Sequence, residues 1–207
     1  MNRGKLIVFE GIDGCGKSTQ LRIAADALRA QGIEPVVTRE PTDGPWGRKI
    51  RAMAQSGEAV TPERELAWFF EDRRDHMREV VRPALEEGKV VLSDRSYIST
   101  VAYQGARGLD GKKILADSEA EFEKPDLILV FEISPEAGLA RVVARGGTSE
   151  PVFENRPFQE KVAKAFAALE VDGLVRIDAD RTEEAISHDV GSAISGSVLE
   201  ETSALRS

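Results

Sequence analysis

Short runs of apolar, largely β-branched residues recur along the chain, and longer segments of helical periodicity separate them. Four runs stand out, at residues 5–10 (KLIVFE), 35–38 (PVVT), 89–93 (KVVLS) and 126–133 (DLILVFEI), with a weaker fifth at 174–177 (LVRI). They are continuous rather than alternating, which marks strands buried on both faces. Helical patterns cover residues 17–31, 61–87, 135–145 and 156–170. Thr61-Pro62 and Ser134-Pro135 each set a capping hydroxyl before a proline suited to the first helical position. Strands alternating with helices predict an α/β fold, a parallel sheet with crossover helices, in a single domain over residues 1–207. Residues 145–156 (RGGTSEPVFENR) fit neither pattern and read as a surface loop, which in a phosphotransferase would suit a lid. The polar tail from about residue 196 is expected to fray or to extend the last helix.

Composition narrows the function classes. Apolar residues at 41% and charged residues at 31% suit a globular core rather than a disordered chain. A net charge of −8 argues against a nucleic-acid partner, although local arginines can still hold one phosphate. Cys15 is the single cysteine, so no internal disulfide is possible. The apolar run at residues 6–9 is too short for a signal core or a membrane span, and the expected location is the cytoplasm, with no membrane partner.

Chemistry enters with Gly11-Ile12-Asp13-Gly14-Cys15-Gly16-Lys17-Ser18, a G-x-x-x-x-G-K-[ST] loop between a predicted strand and a predicted helix. Its backbone N–H groups, with Thr19 in the first helical turn, are expected to cradle ATP phosphates. Lys17 should reach the β- and γ-phosphates, and the Ser18 hydroxyl should help hold Mg²⁺. Cys15 fits the loop as a small residue. Such a loop alone leaves kinases, GTPase switches and motor ATPases open, but the chain has no N-K-x-D motif and no strand ending in an Asp-Glu pair.

The remaining blocks are more specific. FEGIDGCGKSTQ (9–20), TREP (38–41) with GRKIR (47–51), FFEDRRDH (69–76), DRSYISTVAYQG (94–105), KPDLILVFEISPEAGLAR (124–141) and RIDADRTEEAI (176–186) follow in order. In this set the chain resembles the thymidylate kinase family. The resemblance implies phosphorylation of dTMP by MgATP, a P-loop NTPase-type five-stranded parallel sheet flanked by helices on both faces, a short lid, and a homodimer.

Phe69 and Arg73 lie four apart on one helical face, so a ring can stack on a base while a guanidinium reaches its edge. Arginine only donates, which suits the O4 acceptor of thymine and opposes the N4 donor of cytosine. Arg95, with Arg39 and Arg51, is expected to clamp the acceptor phosphate. Asp94, at a strand's C-terminal end, would hold Mg²⁺ through water or orient Lys17. By resemblance, Asp13 contacts the sugar 3′-hydroxyl, Tyr103 lies beneath C2′, and Thr100 and Gln104 meet the thymine edge.

Three departures from the family pattern stand out. Gly14 occupies a position that is basic in one class; Pro151-Val152 stand where the other class has an Asp-Arg pair; and PTDGPWG (41–47) replaces a glycine-rich turn. Arg145, chosen over Arg141 and Arg156, is the expected catalytic arginine. The competing readings are a kinase for another monophosphate such as dUMP, or for a deoxynucleoside, and a P-loop switch that binds ATP without transferring phosphate to a small molecule.

Overall fold

The computed structural model describes residues 3–57, 60–144, 146 and 156–203. Five strands form one sheet: β1 (Lys5–Gly11), β2 (Val36–Arg39), β3 (Val90–Asp94), β4 (Leu127–Glu132) and β5 (Leu174–Asp178). Their spatial order is β2-β3-β1-β4-β5, and every pairing is parallel. The five predicted runs became the five strands. β1, β3 and β4 are the most apolar and form the centre, where Phe9 and Phe131 stack with centroids 6.0 Å apart.

Crossover handedness places the helices. From β1 the chain runs through α1 (Lys17–Ala30) to β2, in one direction across the sheet. From β3 it runs through α5 (Tyr97–Ala106) and α6 (Gly111–Glu121) to β4, in the other. Right-handed crossovers then put α1 on one face and α5 on the opposite one. The last helix, α9 (Glu183–Ser203), packs beside α1, and α8 (Arg156–Ala167) beside α5. Between β2 and β3 lie α2 (Pro45–Ser56), α3 (Pro62–His76), a π-helical turn (Met77–Val81) and α4 (Arg82–Glu86); α7 (Pro135–Ala144) follows β4.

Local signals account for several boundaries. Thr61 accepts a hydrogen bond from the Arg64 amide at 3.4 Å, and Ser134 accepts one from Ala137 at 3.2 Å, so both expected caps form. The single helix expected over residues 61–87 is instead divided by the π turn, where the Arg82 amide donates to the Met77 carbonyl. Pro83 follows directly; it has no amide to donate, and its ring would crowd the Glu79 carbonyl in a continuous α-helix. Helix α2 was not expected as a helix. Of the expected lid, residue 145 and residues 147–155 lie outside the described residues.

Adjacent strands β1 and β3 send their connections in opposite directions, and this is the switch point where open α/β sheets bind ligands. The phosphate loop leaves β1 there, and Asp94 and Arg95 leave β3 beside it. The Arg95 amide donates to Phe9 O at 3.0 Å and the Glu40 amide to Asp94 O at 2.9 Å, so the ends of β1, β3 and β2 are tied together.

Candidate active site

The phosphate loop turns tightly from β1 into α1. Gly14 and Gly16 have φ of +79° and +97°, open to glycine at little cost. A Cβ on Gly14 would sit 2.0 Å from the Gly138 carbonyl oxygen of α7. That contact explains why no basic side chain stands at this position: α7 occupies the space. Cys15 is buried at 1% exposure, in keeping with a small packed residue. Lys17 is buried too; its Nζ donates to Ile12 O at 3.2 Å and lies 3.8 Å from Asp13 Oδ1. Ser18 Oγ donates to Asp94 Oδ2, so the two expected Mg²⁺ contacts are neighbours across the switch point. Thr19 is half-buried in the first turn of α1.

A cavity of about 440 Å³ opens beside this loop. Its lining includes Asp13, Arg39, Arg51, Phe69, Arg73, Asp94, Arg95, Thr100 and Tyr103, contributed by five separate segments of the chain. The sequence therefore pointed to one place. Gln104 is the exception among the expected base-edge contacts. It is fully buried and outside that lining, and its Nε2 donates to Glu65 Oε1 at 2.5 Å. Arg107 pairs with the same carboxylate.

Trp68, Phe69 and Phe70 are consecutive, and a helix turns about 100° per residue, so they go to three places. Trp68 packs with Ile50, Met53 and Ala54 of α2; Phe70 meets the Phe122 edge at 5.3 Å; Phe69 lines the cavity. One turn on, Arg73 is 1% exposed. Its Nε and Nη2 donate to Glu40 Oε2 at 2.9 and 2.6 Å, and Nη2 also donates to Thr100 Oγ1 at 2.9 Å. Its Nη1 is buried with no hydrogen-bond acceptor among the described residues. Glu40 also pairs with His76 Nδ1 at 2.9 Å, and His76 Nε2 meets Thr38 Oγ1 at 2.7 Å. Burial alone would push the Glu40 carboxyl up, but Arg73 and His76 outweigh it and hold Glu40 below the usual carboxylate range. Arg73 is thus fixed on two of its three nitrogens.

Arg95 adopts φ +75°, a left-handed conformation that side-chain-bearing residues seldom take. Its guanidinium turns back over β1, donating to Asp13 Oδ1 at 2.5 Å, Gly11 O at 3.1 Å and Ser99 Oγ at 2.9 Å. Asp13 also accepts from Tyr103 at 3.1 Å and from Gln159 of α8 at 3.2 Å. Burial raises the Asp13 carboxyl, but Arg95 and Lys17 outweigh it, so Asp13 is held ionised. Beneath Arg95 lies Glu10, fully buried, which accepts from Ser96 at 2.7 Å and Ser99 at 2.5 Å. Burial pushes its carboxyl up to about 7, because hydroxyl donors and the more distant charges of Arg95 and Lys17 only partly compensate.

The outer arginines differ. Arg39 and Arg51 line the cavity mouth, and both pair with Asp43. Arg145 lies outside the described residues. Arg141 donates to Ala179 O at 3.0 Å, and the exposed Arg156 pairs with Glu160 of α8 and Glu136 of α7. Sequence reading did not single out Glu10, Glu40, Asp43, Ser99 or Gln159. Glu10 did carry a signal, since a charged residue closing an apolar strand just before a phosphate loop is unusual for a fully buried run.

Comparison with known proteins points to one family. The sequence model of the thymidylate kinase family matches residues 9–190. The chain is 40% identical to the thymidylate kinase of Desulfotalea psychrophila, over 91% of this chain and 93% of that one. It is 39% identical to the thymidylate kinase of Akkermansia muciniphila, over 93% and 92%, and 36% identical to that of Brachyspira hyodysenteriae, over 95% and 96%.

Proposed function

The chain belongs to the thymidylate kinase family, and on that premise we propose that it transfers the γ-phosphoryl group of ATP to the phosphate of dTMP, giving dTDP and ADP in nucleotide biosynthesis. One observation supports the acceptor most strongly: Arg73, which lines the cavity with Phe69, keeps a buried donor, Nη1, with no acceptor among the described residues. A buried donor left unmet is costly, and thymine O4 would meet it, whereas the N4 amino group of cytosine would oppose it. Phe69 then supplies the stacking face. Thr100 contributes by holding Arg73 Nη2, and Asp13 and Tyr103 would meet the deoxyribose.

The reaction asks little of proton chemistry. A phosphate monoester has a second pKa near ~6, so the acceptor oxygen is already largely anionic. The difficulty is charge: two polyanions must meet, and charge spreads over the transferring group. Lys17 and the loop amides would hold the donor phosphates, and Arg95 the acceptor phosphate, with Asp13 and Ser99 fixing its guanidinium. A neighbouring hydroxyl and carboxylate, Ser18 and Asp94, fit a Mg²⁺ ion that completes its shell with water and substrate phosphates. Bound there, Mg²⁺ would neutralise charge on the β- and γ-phosphates. Arg145 remains the proposed catalytic arginine.

We further place the enzyme in the cytoplasm as a homodimer, as the family resemblance implies. Among the described residues no helix is long and apolar enough to cross a membrane. Sedimentation should return twice the 22.6 kDa chain mass; a mass of one chain at micromolar concentration contradicts the dimer. The activity is tested by ADP release with MgATP against dTMP, dUMP, UMP, dCMP, CMP, GMP and thymidine. The proposal requires dTMP first with dUMP behind it. ATP binding with no stimulation by any acceptor would favour the nucleotide switch instead.

A further inference from the structure

Three arginines converge on one aspartate at the mouth of the cavity. Arg39 Nη2 donates to both Asp43 carboxylate oxygens at 2.7 and 3.0 Å, and Arg51 Nη2 donates to Oδ1 at 2.9 Å. Arg48 donates to the Asp43 backbone carbonyl. Arg39 and Arg51 line the cavity, while Asp43 stands outside that lining with its side chain 76% exposed. We propose that Asp43 is a built-in counter-ion of the acceptor-phosphate subsite: it occupies the arginine donors that the incoming phosphate monoester needs, must be displaced by it, and so sets the affinity of the phosphate end. The inference rests on the reading of this cavity as the dTMP site and deepens it.

The chemistry of the exchange is direct. Carboxylate and phosphate engage guanidinium through the same charge-assisted oxygen contacts, so both compete for the same N–H groups. The phosphate brings three oxygens and close to two charges, against two oxygens and one. The described hydrogen bonds of Arg39 go to Asp43, so it is released whole when Asp43 leaves. Arg51 keeps an anchor, because its Nη1 donates to Pro41 O at 2.8 Å. Asp43 precedes Gly44, the extended residue that opens α2, and its exposure gives it water to move into. Its carboxyl is held low by the bond and charge of Arg39 and by the charges of Arg51 and Arg48, so at neutral pH it competes as an anion. Once displaced it remains a like charge near the bound dianion. Exposed pairs are individually weak and screened by salt, which bounds the effect to a modest factor.

The test is calorimetric titration of dTMP and of thymidine, which lacks the phosphate, into the intact protein and into Asp43→Asn. The expected result is dTMP affinity about three- to tenfold tighter in the variant at low salt, consistent with exposed charge pairs. Thymidine affinity should not change, and the dTMP gain should shrink at ~0.5 M salt. Asp43→Glu, which restores the charge, should return dTMP affinity toward that of the unsubstituted protein. Unchanged or weaker dTMP binding in Asp43→Asn overturns the inference, since Asp43 would then be aligning the arginines rather than occupying them. Equal tightening of thymidine also overturns it. An unsubstituted protein that prefers thymidine, or binds neither ligand, overturns the dTMP reading itself, which is a different outcome from a silent Asp43 variant.

Discussion

Arg73 at the closed end of the cavity and Arg39 at its mouth are each paired with a carboxylate, yet they are built differently. Arg73 and Glu40 have side chains 1% and 4% exposed, with His76 and Thr100 completing the network. Arg39 and Asp43 are 59% and 76% exposed, and among the described residues their side chains pair only with each other and with Arg51. A buried pair is fixed in one geometry and is costly to break, while an exposed pair is weak and exchangeable. Reading a base edge needs a donor that does not move. At the mouth, a charged phosphate that must enter and leave is served by donors that exchange, ahead of the fixed Arg95. The same residue type serves both because solvent access differs.

Removing the fixed arginine should have the largest effect. Arg73→Lys keeps a charge beside Glu40 but loses the planar fork, and dTMP affinity should fall about 100-fold, the scale of a buried charged hydrogen bond. ATP affinity should hold. Titrations of each ligand check this, and matched losses would break the contrast between the two ends.

Two buried carboxylates sharpen the contrast further. Glu40 is held low by Arg73 and His76, whereas Glu10, met by Ser96 and Ser99, is raised from its ordinary 4.5 to about 7. A group whose folded pKa is raised contributes stability that is full below pH 4.5 and lost as pH rises through about 7. Glu10→Gln cannot titrate, so its melting temperature should gain on the parent between pH 5 and pH 8, by on the order of 5 °C. A constant difference across that window would show that Glu10 does not titrate as described. The smallest effect belongs at the mouth. Arg39→Ala should raise the KM for dTMP only about two- to fivefold at low salt, and the difference should fade as salt is added.

The sequence made some of this legible and hid the rest for physical reasons. Continuous apolar runs located all five strands; β1, β3 and β4, buried on both faces, have no polar alternation to confuse the reading, and the edge strands β2 and β5 are only partly buried. The glycine–lysine loop and the Asp94–Arg95 pair were visible because their chemistry is tied to short spacing. Helix α2 was hidden in GPWGRKIRAMAQS, where Pro45 and two glycines mask a helix that starts at that proline. Buried carboxylates were hidden because burial is a tertiary property. Nothing in the one-dimensional pattern singles out Glu40 or Glu65, and each proves to be the anchor of an arginine. Gln104, expected at the base edge on resemblance, stands outside the cavity lining, and its Nε2 donates to Glu65.

The most direct test of the central claim is the ratio of kcat/KM for dTMP to that for dCMP, measured by ADP release in the unsubstituted enzyme. The two bases differ at the group facing the spare Arg73 donor and in the thymine methyl, and dUMP against dCMP isolates the first difference. The account predicts dTMP ahead by at least ~100-fold, with dUMP also well ahead of dCMP, since a donor facing a donor leaves both buried and unpaired. Comparable rates for dTMP, dUMP and dCMP would contradict it, because Arg73 would then not be reading the base.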